Sequence, residues 1–564
     1  MKFLLSNCKG GYFSLGYNSR YSGLFFNINK KMYRILDEIK LNYAQVKNNF
    51  TFAELDSAKI AIVEGRNSLV YESDKEEYVK LLFDVKESYD NREWGRNYEI
   101  TEEKGFVIVK FTKLTNISED ESDGKLEFCI YTAIKFDGNF EKIGEWLKKH
   151  YSDDMKRRSM PYERYVYAAV GSKCRRFALS VSDKKENAIN ECSEAFDKYK
   201  FYKPPVYSKF KDKKVNLAYQ SALNSLNGMI VSHEDIYAGL PWFFQYWTRD
   251  EAVSLKALML QKRFSLAKNV LFKYLKQITY DGRVANRIPS TTTGSADGVG
   301  WVFKRAGDLI QLLKKYSVVR AYLKPYEVRY IINKLQRSIH LIMKQYIKDS
   351  YVTNKPQETW MDTEDRQGAR IEVQALQLHM YKLMYELSND SRYKMLENRL
   401  RAKVRHKFWN SKYLADGLED YSVRPNVFIA AYIYPELLTN EEWSKCFEYV
   451  LERLWLPWGG LATIDKSHAR FVHEYTGETG ESYHKGDSWF WINNMAALVM
   501  HKIDRRKFEK YINKIIEAST TEILELGVIG HHAELSSAKE LRSEGCWAQA
   551  WSAAMFIEMV EEVF

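Results

Sequence analysis

The chain's 564 residues are 45% hydrophobic and 15% aromatic, a balance that excludes a disordered chain; the length exceeds one ordinary core, so two or three domains are expected. The formal net charge of +11 comes from 85 basic and 74 acidic residues in short, interrupted runs such as 209–214 and 504–507. No zinc-knuckle, RNP or helix-turn-helix signature accompanies them, which argues for a solvated basic surface and against a nucleic-acid partner.

Six cysteines without C-x-x-C pairs fit a reducing compartment, and nothing calls for a metal or other cofactor. The opening apolar run, Phe3 to Leu5, is shorter than the roughly 7–15 residues of a secretory signal, and no stretch reaches the length of a membrane span. A cytoplasmic protein without a membrane partner is expected.

Up to about residue 200, short β-branched and aromatic runs alternate with turns. They are 106–113 (FVIVKFTK), 126–134 (LEFCIYTAI), 165–170 and 176–181, separated by residues such as Asp123, Gly124, Asp137 and Gly138. These predict an N-terminal antiparallel β-sandwich over 1–201, with one helix near 140–150. Pro204 and Pro205 in YKPPV break regular structure and mark a linker over 202–213.

From residue 214 the hydrophobic period is helical. Helices are predicted near 215–230, 249–260, 263–277, 295–316, 324–346, 370–387, 391–409, 426–433, 440–454, 487–502, 504–526 and 545–562. Connections after even-numbered helices are short, as at Gln261 and Lys262, whereas those after odd-numbered helices all run well past ten residues. Antiparallel helices reverse direction at every connection, so the six long loops emerge at one end and form a cup. Six pairs close most simply as an (α/α)6 toroid over 214–564. An open superhelical array would carry repeats that resemble one another, and these do not.

The cup gathers the chemistry. Ten of the fourteen tryptophans lie in the long loops or the helix turns they enter: Trp242, Trp247, Trp301, Trp360, Trp455, Trp458, Trp489, Trp491, Trp547 and Trp551. That placement predicts pocket-lining or sugar-stacking rings for most of them. Loop one carries PWFFQYWTRDE, in which adjacent Arg249 and Asp250 read either as a capping arrangement or as a fork for vicinal hydroxyls. Loop two carries NRIPS and SADGVGW, loop three ETWMDTED, loop five ESYHKGDSWFW, and loop six HHAELSSAKELRSEGCWAQAW.

Carboxylates recur there, while H-E-x-x-H, G-x-S-x-G and G-x-x-x-x-G-K are absent. His531 and His532 are adjacent, not spaced as a metal pair, so surface or hydrogen-bonding roles are expected for them. Paired carboxylates among aromatics suit glycoside hydrolysis, in which an acid protonates the leaving oxygen and a base activates water or attacks the sugar. Loops three and six lie three pairs apart and face each other. Asp362 of loop three follows apolar neighbours that favour its protonated form, and Glu534 sits in loop six. Opposed loops leave room for a water between two carboxylates, which suggests inversion, although spacing in the chain does not measure that gap.

The segments PWFFQYWTRDE, SADGVGW, TWMD, EVQAL (372–376), RPN (424–426), YHKGDSWFW and GCWAQAW occur in this order. Together they resemble the archaeal and bacterial glycogen debranching enzyme family, the amylo-α-1,6-glucosidases. SNCKGGYFS and NSRYSGLFF resemble the opening of that family's N-terminal sandwich. The resemblance implies a glucoamylase-like barrel acting with inversion, with Asp362 as general acid and Glu534 as general base. It also implies that Arg249 and Asp250 hold hydroxyls of the terminal glucose, that Trp242, Asp297, Trp301, Trp360 and Trp489 line its subsite, and that Glu372 and His484 are candidate sugar contacts.

Ser22 stands where the family commonly has histidine, Thr248 and Glu251 where it has glycine and threonine, and YHKGDSWFW where it has YHQGTVWPW. The implied substrate is the terminal α-1,6-linked glucose of glycogen, limit dextrin or another α-glucan. The N-terminal half is too short and strand-rich for a glucanotransferase barrel, so glucosidase activity alone is expected. Two alternatives stay open: a broader exo-acting α-glucosidase of glucoamylase or trehalase type, and a non-catalytic glycan-binding protein, against which the presence of both carboxylates argues.

Overall fold

The computed structural model describes residues 2–41, 43–115, 124–206, 208–291, 293–477 and 480–564; Asp123, expected in a turn, lies outside them. The chain divides into two compact units, 1–207 with 227–232 and 528–530, and 208–226 with 233–527 and 531–564. Among the described residues no helix is long and apolar enough to cross a membrane.

Among the described residues the first unit is built on thirteen hydrogen-bonded strands. Its main path runs Phe3–Ser6, Tyr12–Leu15, Gly23–Ile28, Lys31–Lys40, Ser68–Glu87, Glu163–Ser182, Leu126–Phe136, Phe106–Leu114, Arg96–Glu103, every neighbour antiparallel. Phe83 and Tyr98 sit four strands apart on this path, about 19 Å along a flat sheet, yet their rings are 6.3 Å apart. Tyr33 and Phe128, three strands apart, meet at 5.0 Å. The sheet therefore curls onto itself as a sandwich. Bulges in the twenty-residue strand Glu163–Ser182, at Ala168/Val170 and Cys174/Arg176, supply bends.

Two local expectations fail here. Residues 140–150 are a strand, Phe140–His150, not a helix. The long strand Glu163–Ser182 pairs with Leu126–Phe136 only through its C-terminal part, and 140–150 satisfies the edge that its N-terminal part leaves open. Glu141, Lys142, Glu145 and Lys148 are exposed on that edge, while Lys149 reaches Asp37 at 2.6 Å and Trp146 packs on Tyr98 and Tyr167. The runs 165–170 and 176–181 are parts of one continuous strand. A helix absent from the sequence reading, Lys185–Lys198, lays Ala188, Cys192 and Ala195 against Val70, Phe106 and Ala178 of the sheet.

In the second unit every predicted helix is present, the tenth and eleventh running together as Phe490–Glu525 with a break at Asp504. The even-numbered helices, Thr248–Leu260, Gly298–Lys315, Ile371–Ser388, Asn426–Ile433, the start of Phe490–Glu525 and Ala550–Val563, pack each on the next, and the last returns to the first. That closed ring is the inner wall of an (α/α)6 toroid. Its helices are buried on nearly every side, as Ala550–Val560 shows, and so lack a polar face. Outer helices bury one stripe, as with Ile331, Leu335, Ile339 and Ile342. Gly300 allows the inner helices to approach closely, since a Cβ there would lie 2.6 Å from the Leu376 Cβ.

The long loops are stitched together by two-residue strand pairs. Gly239–Leu240 of loop one pairs with Ala548–Gln549, Tyr246–Trp247 with Arg287–Ile288 of loop two, and Ser488–Trp489 with Leu535–Ser536 of loop six. These extended residues explain why the helices predicted from 487 and 545 start at Phe490 and Ala550. Loop six, which carries Glu534, is thereby held from both sides.

Candidate active site

Loops one, three, five and six converge on a cavity of about 240 Å³. Of the residues singled out from the sequence, Arg249, Asp250, Trp360, Asp362, Trp489 and Glu534 line it. Trp242, Asp297, Trp301, Glu372 and His484 do not; they stand behind the lining and support it. Among the described residues no group of three or more His, Cys, Asp or Glu could hold a metal ion.

Arg249 is anchored from behind by Asp297, its Nε donating to Oδ2 at 2.7 Å and its Nη2 to Oδ1 at 2.9 Å. Ser295 Oγ donates to the same Asp297 and receives the Gly298 N–H, which gives the SADG turn its purpose. Arg249 and Asp250 thus do not pair as neighbours. No side chain caps the helix Thr248–Leu260 at Trp247, and the Asp250 carboxylate instead accepts from Gln549 Nε2 at 3.1 Å. Burial, with the nearby charge of Asp362, pushes the Asp250 carboxyl up to about 7.

Asp362 is half-buried on the cavity wall. Burial, reinforced by the charge of Asp297 and opposed by Arg249, pushes its carboxyl up to about 6. Its neighbour Glu364 is clasped by Arg424, Arg470 and Lys485 at 3.0, 3.2 and 3.3 Å. Across the cavity Glu534 is buried, with both oxygens accepting: Oε1 from the Tyr483 hydroxyl and Oε2 from the Cys546 N–H at 2.8 Å. Gly545, at φ +68°, makes room for it, since a Cβ there would lie 2.4 Å from Oε2.

The remaining predicted residues build the wall. Trp360 Nε1 donates to Asn426 Oδ1 of the RPN segment at 2.7 Å. The His484 ring stacks on Trp489 at 5.0 Å, and its Nδ1 pairs with Thr363 Oγ1 at 2.7 Å. Burial first, then Arg424, Arg366 and Arg249, hold its pKa well below the ordinary histidine value, so the imidazole is neutral. Glu372 accepts from Arg366 Nη1 at 2.8 Å, and Arg366 also binds Thr359 and Asp416, fastening loop three to the inner helix whose first turn holds Glu372. Thr248 and Glu251, which depart from the family pattern, have structural partners: the Thr248 N–H donates to Asn286 O, and Glu251 receives Lys273 Nζ, the Tyr274 hydroxyl and the Ile236 N–H.

Most of the clustered tryptophans do not line the cavity, contrary to expectation; Trp247, Trp360, Trp489 and Trp551 do. Trp491 stacks behind Trp551 at 4.6 Å and Trp301 edges onto Trp491 at 6.4 Å, while Trp455 packs on Tyr511 at 4.8 Å. A wall of rings needs a second layer, and long loops need small cores of their own. His531 and His532 are buried, not on the surface; they bond to Ser225 and Glu522. Tyr483 and Gln549 line the cavity without having been singled out, although both lie inside quoted motifs.

A family model described as Amylo-alpha-1,6-glucosidase matches residues 221–558. Among solved structures the chain is similar to a bacterial glucoamylase complexed with acarbose, at 11% identity and a TM-score of 0.64, covering 100% of this chain and 93% of that one. It is also similar to a glycosidase in complex with glucose, at 9% identity, 63% and 99% coverage and a TM-score of 0.47. A third is a GH63 mannosylglycerate hydrolase from Thermus thermophilus, at 12% identity, 60% and 99% coverage and a TM-score of 0.45. The glucoamylase likeness spans both units and agrees with a β-domain followed by a six-pair helical barrel.

Proposed function

The chain belongs to the amylo-α-1,6-glucosidase family of glycoside hydrolases, and from that premise we propose that it releases single glucose units from α-1,6 branch stubs of limit dextrin or a similar α-glucan, with inversion. One observation carries this reading: loops three and six bring Asp362 and Glu534 to one cavity in different settings, Asp362 desolvated and Glu534 held by two donors. Asp362, pushed up to about 6, keeps its proton to a higher pH than an ordinary aspartate, as a proton donor requires. Glu534, with both oxygens accepting hydrogen bonds, is arranged as a proton acceptor.

In this mechanism Asp362 gives its proton to the glycosidic oxygen as the C1–O bond breaks. Glu534 takes a proton from a water that attacks C1 from the opposite face. The products are glucose and a chain shortened by one unit, and proton exchange with solvent resets both carboxyls. Arg249, fixed by Asp297, and Asp250 hold hydroxyls of the departing glucose, while Trp360 and Trp489 supply apolar faces. A volume of about 240 Å³ is below the roughly 300–1,000 Å³ of sites for larger ligands, which supports one sugar ring and hence exo action.

Glucose release from phosphorylase limit dextrin, panose, isomaltose, maltose and trehalose tests the assignment. The α-1,6-linked substrates should exceed maltose and trehalose at least ~10-fold in kcat/KM. Equal rates on maltose would give a broader exo-glucosidase, and no release from any of them would return the non-catalytic reading.

A further inference from the structure

Charge is spread unevenly over the barrel wall. The outer helices Pro325–Gln345 and Ser391–Phe408 carry eleven Lys and Arg against only Glu327 and Glu397, net +9 of the chain's formal +11. Both acids are engaged, Glu327 with Lys268 at 3.1 Å and Glu397 with Lys394 at 2.9 Å. Arg329, Arg337, Lys344, Arg399 and Lys407 are exposed, and among the described residues none has a carboxylate within ion-pair distance. Such a concentration of like charge repels itself and draws anions.

Between the two helices lies a groove of about 460 Å³, lined by Asn333, Gln336, Arg337, His340, Arg392 and Tyr393. The set is chemically mixed. Two carboxamides can donate to and accept from vicinal hydroxyls, the open guanidinium fork of Arg337 matches the oxygens of a phosphate, and Arg392 adds the N–H groups that Asp390 leaves. Asp390, the helix-capping acid beside the groove, accepts from Arg392 Nε at 3.0 Å and Nη2 at 2.6 Å and offsets much of its charge, so Arg337 is the principal anion contact. No Trp lines the groove and Tyr393 is buried, so it offers neither the platform of a neutral-glucan site nor the stacking rings of a single-stranded nucleic-acid site.

We propose that this groove is a second binding site, for a sugar phosphate monoester, either free as a hexose phosphate or carried as an ester on an α-glucan chain. The choice of sugar rests on the proposed α-glucan activity; the charge and the donor set do not. None of its lining residues lines the catalytic cavity, so the groove anchors its ligand and takes no part in cleavage.

Electrophoresis of the full chain through gels containing phosphate-bearing amylopectin, or the same polymer after phosphatase treatment, tests the site. Retardation by the phosphorylated polymer should correspond to at least ~10-fold tighter binding at low salt, with the difference shrinking as salt screens the charges. The double substitution Arg337→Glu, Arg392→Glu should abolish that difference and leave glucose release from a short neutral oligosaccharide unchanged. Calorimetric titration with glucose 6-phosphate separates the sources. Saturable binding lost in the double variant supports a free-ligand site, and polymer binding without it supports the chain ester. Equal retardation by the two polymers, a double variant that behaves as wild type, or stronger competition by RNA than by phosphorylated glucan would each overturn the proposal. Phosphate-dependent retardation without any glucose release would sink the catalytic reading and leave this site standing.

Discussion

Tyr483 on loop five donates its hydroxyl to Oε1 of Glu534 on loop six, so the carboxylate is aimed by a residue from a neighbouring loop. The same tyrosine receives the Trp489 indole N–H on its carbonyl at 2.8 Å and packs its ring on Trp489 at 4.7 Å. One side chain thus links the proposed base to the aromatic wall. Tyr483→Phe keeps the ring and removes only the donor. It should lower kcat about 10- to 100-fold with little change in KM, because aim matters to the proton transfer more than to sugar binding. Initial rates over a range of oligosaccharide concentrations measure both. A raised KM at unchanged kcat would make Tyr483 a sugar ligand instead.

Asp362→Asn removes the proposed acid at nearly constant size, and kcat should fall at least ~100-fold while the melting temperature stays near that of the wild type. The acid must carry its proton, and burial places its pKa at about 6. In the wild type kcat/KM should therefore decline about tenfold per pH unit above roughly pH 6. Asp250, pushed up to about 7, titrates in the same cavity, so the observed limb belongs to the pair. A well-folded Asp362→Asn with wild-type turnover and an unchanged limb would remove Asp362 from the mechanism.

Asp250 should show a conflict between stability and activity. Its folded-state pKa of about 7 lies above the ordinary 3.8, so between those values the native protein holds a proton that the unfolded chain has released. Stability from this group is therefore lost as pH rises through about 4 to 7, at most on the order of 4 kcal/mol. Asp250→Asn does not titrate. It should melt higher than the wild type at pH 8, match it near pH 4, and lose glucose release at both. A variant that only lost thermal stability would make Asp250 a structural partner of Gln549 and not a sugar ligand.

The architecture was readable because it depends on patterns that the chain repeats: a helical period and loops long after every odd helix. Placing Asp362 and Glu534 in opposed loops needed nothing more. What escaped depends on partners distant in the chain. Asp297 looked like a lining residue, yet its role follows from meeting Arg249. Tyr483 and Gln549 gain meaning from Glu534 and Asp250, and no local signal encodes those bonds. In the first unit, Phe140–His150 is polar because it is an edge strand, and the stripe of Lys185–Lys198 is made of Ala188, Cys192 and Ala195, too small to stand out in the hydrophobic pattern.

The stereochemical outcome tests the carboxylate pair as a mechanism. Asp362 and Glu534 come from loops three and six, on opposite sides of the ring of helices. That arrangement favours the wider spacing of roughly 6.5–9.5 Å that admits a water, over the roughly 5–5.5 Å of enzymes that form a glycosyl intermediate. In the proposed mechanism water activated by Glu534 attacks opposite the leaving chain, so the first product should be β-glucose. Proton NMR of freshly released glucose, recorded before mutarotation, reads the anomer directly. An α-anomer would overturn inversion. Glu534→Gln should lose the β-product, and azide should not restore turnover as α-glucosyl azide, because that product requires a covalent intermediate with inverted C1. Formation of α-glucosyl azide in this variant would make the residue that still forms the intermediate, and not Glu534, the nucleophile of a retaining enzyme.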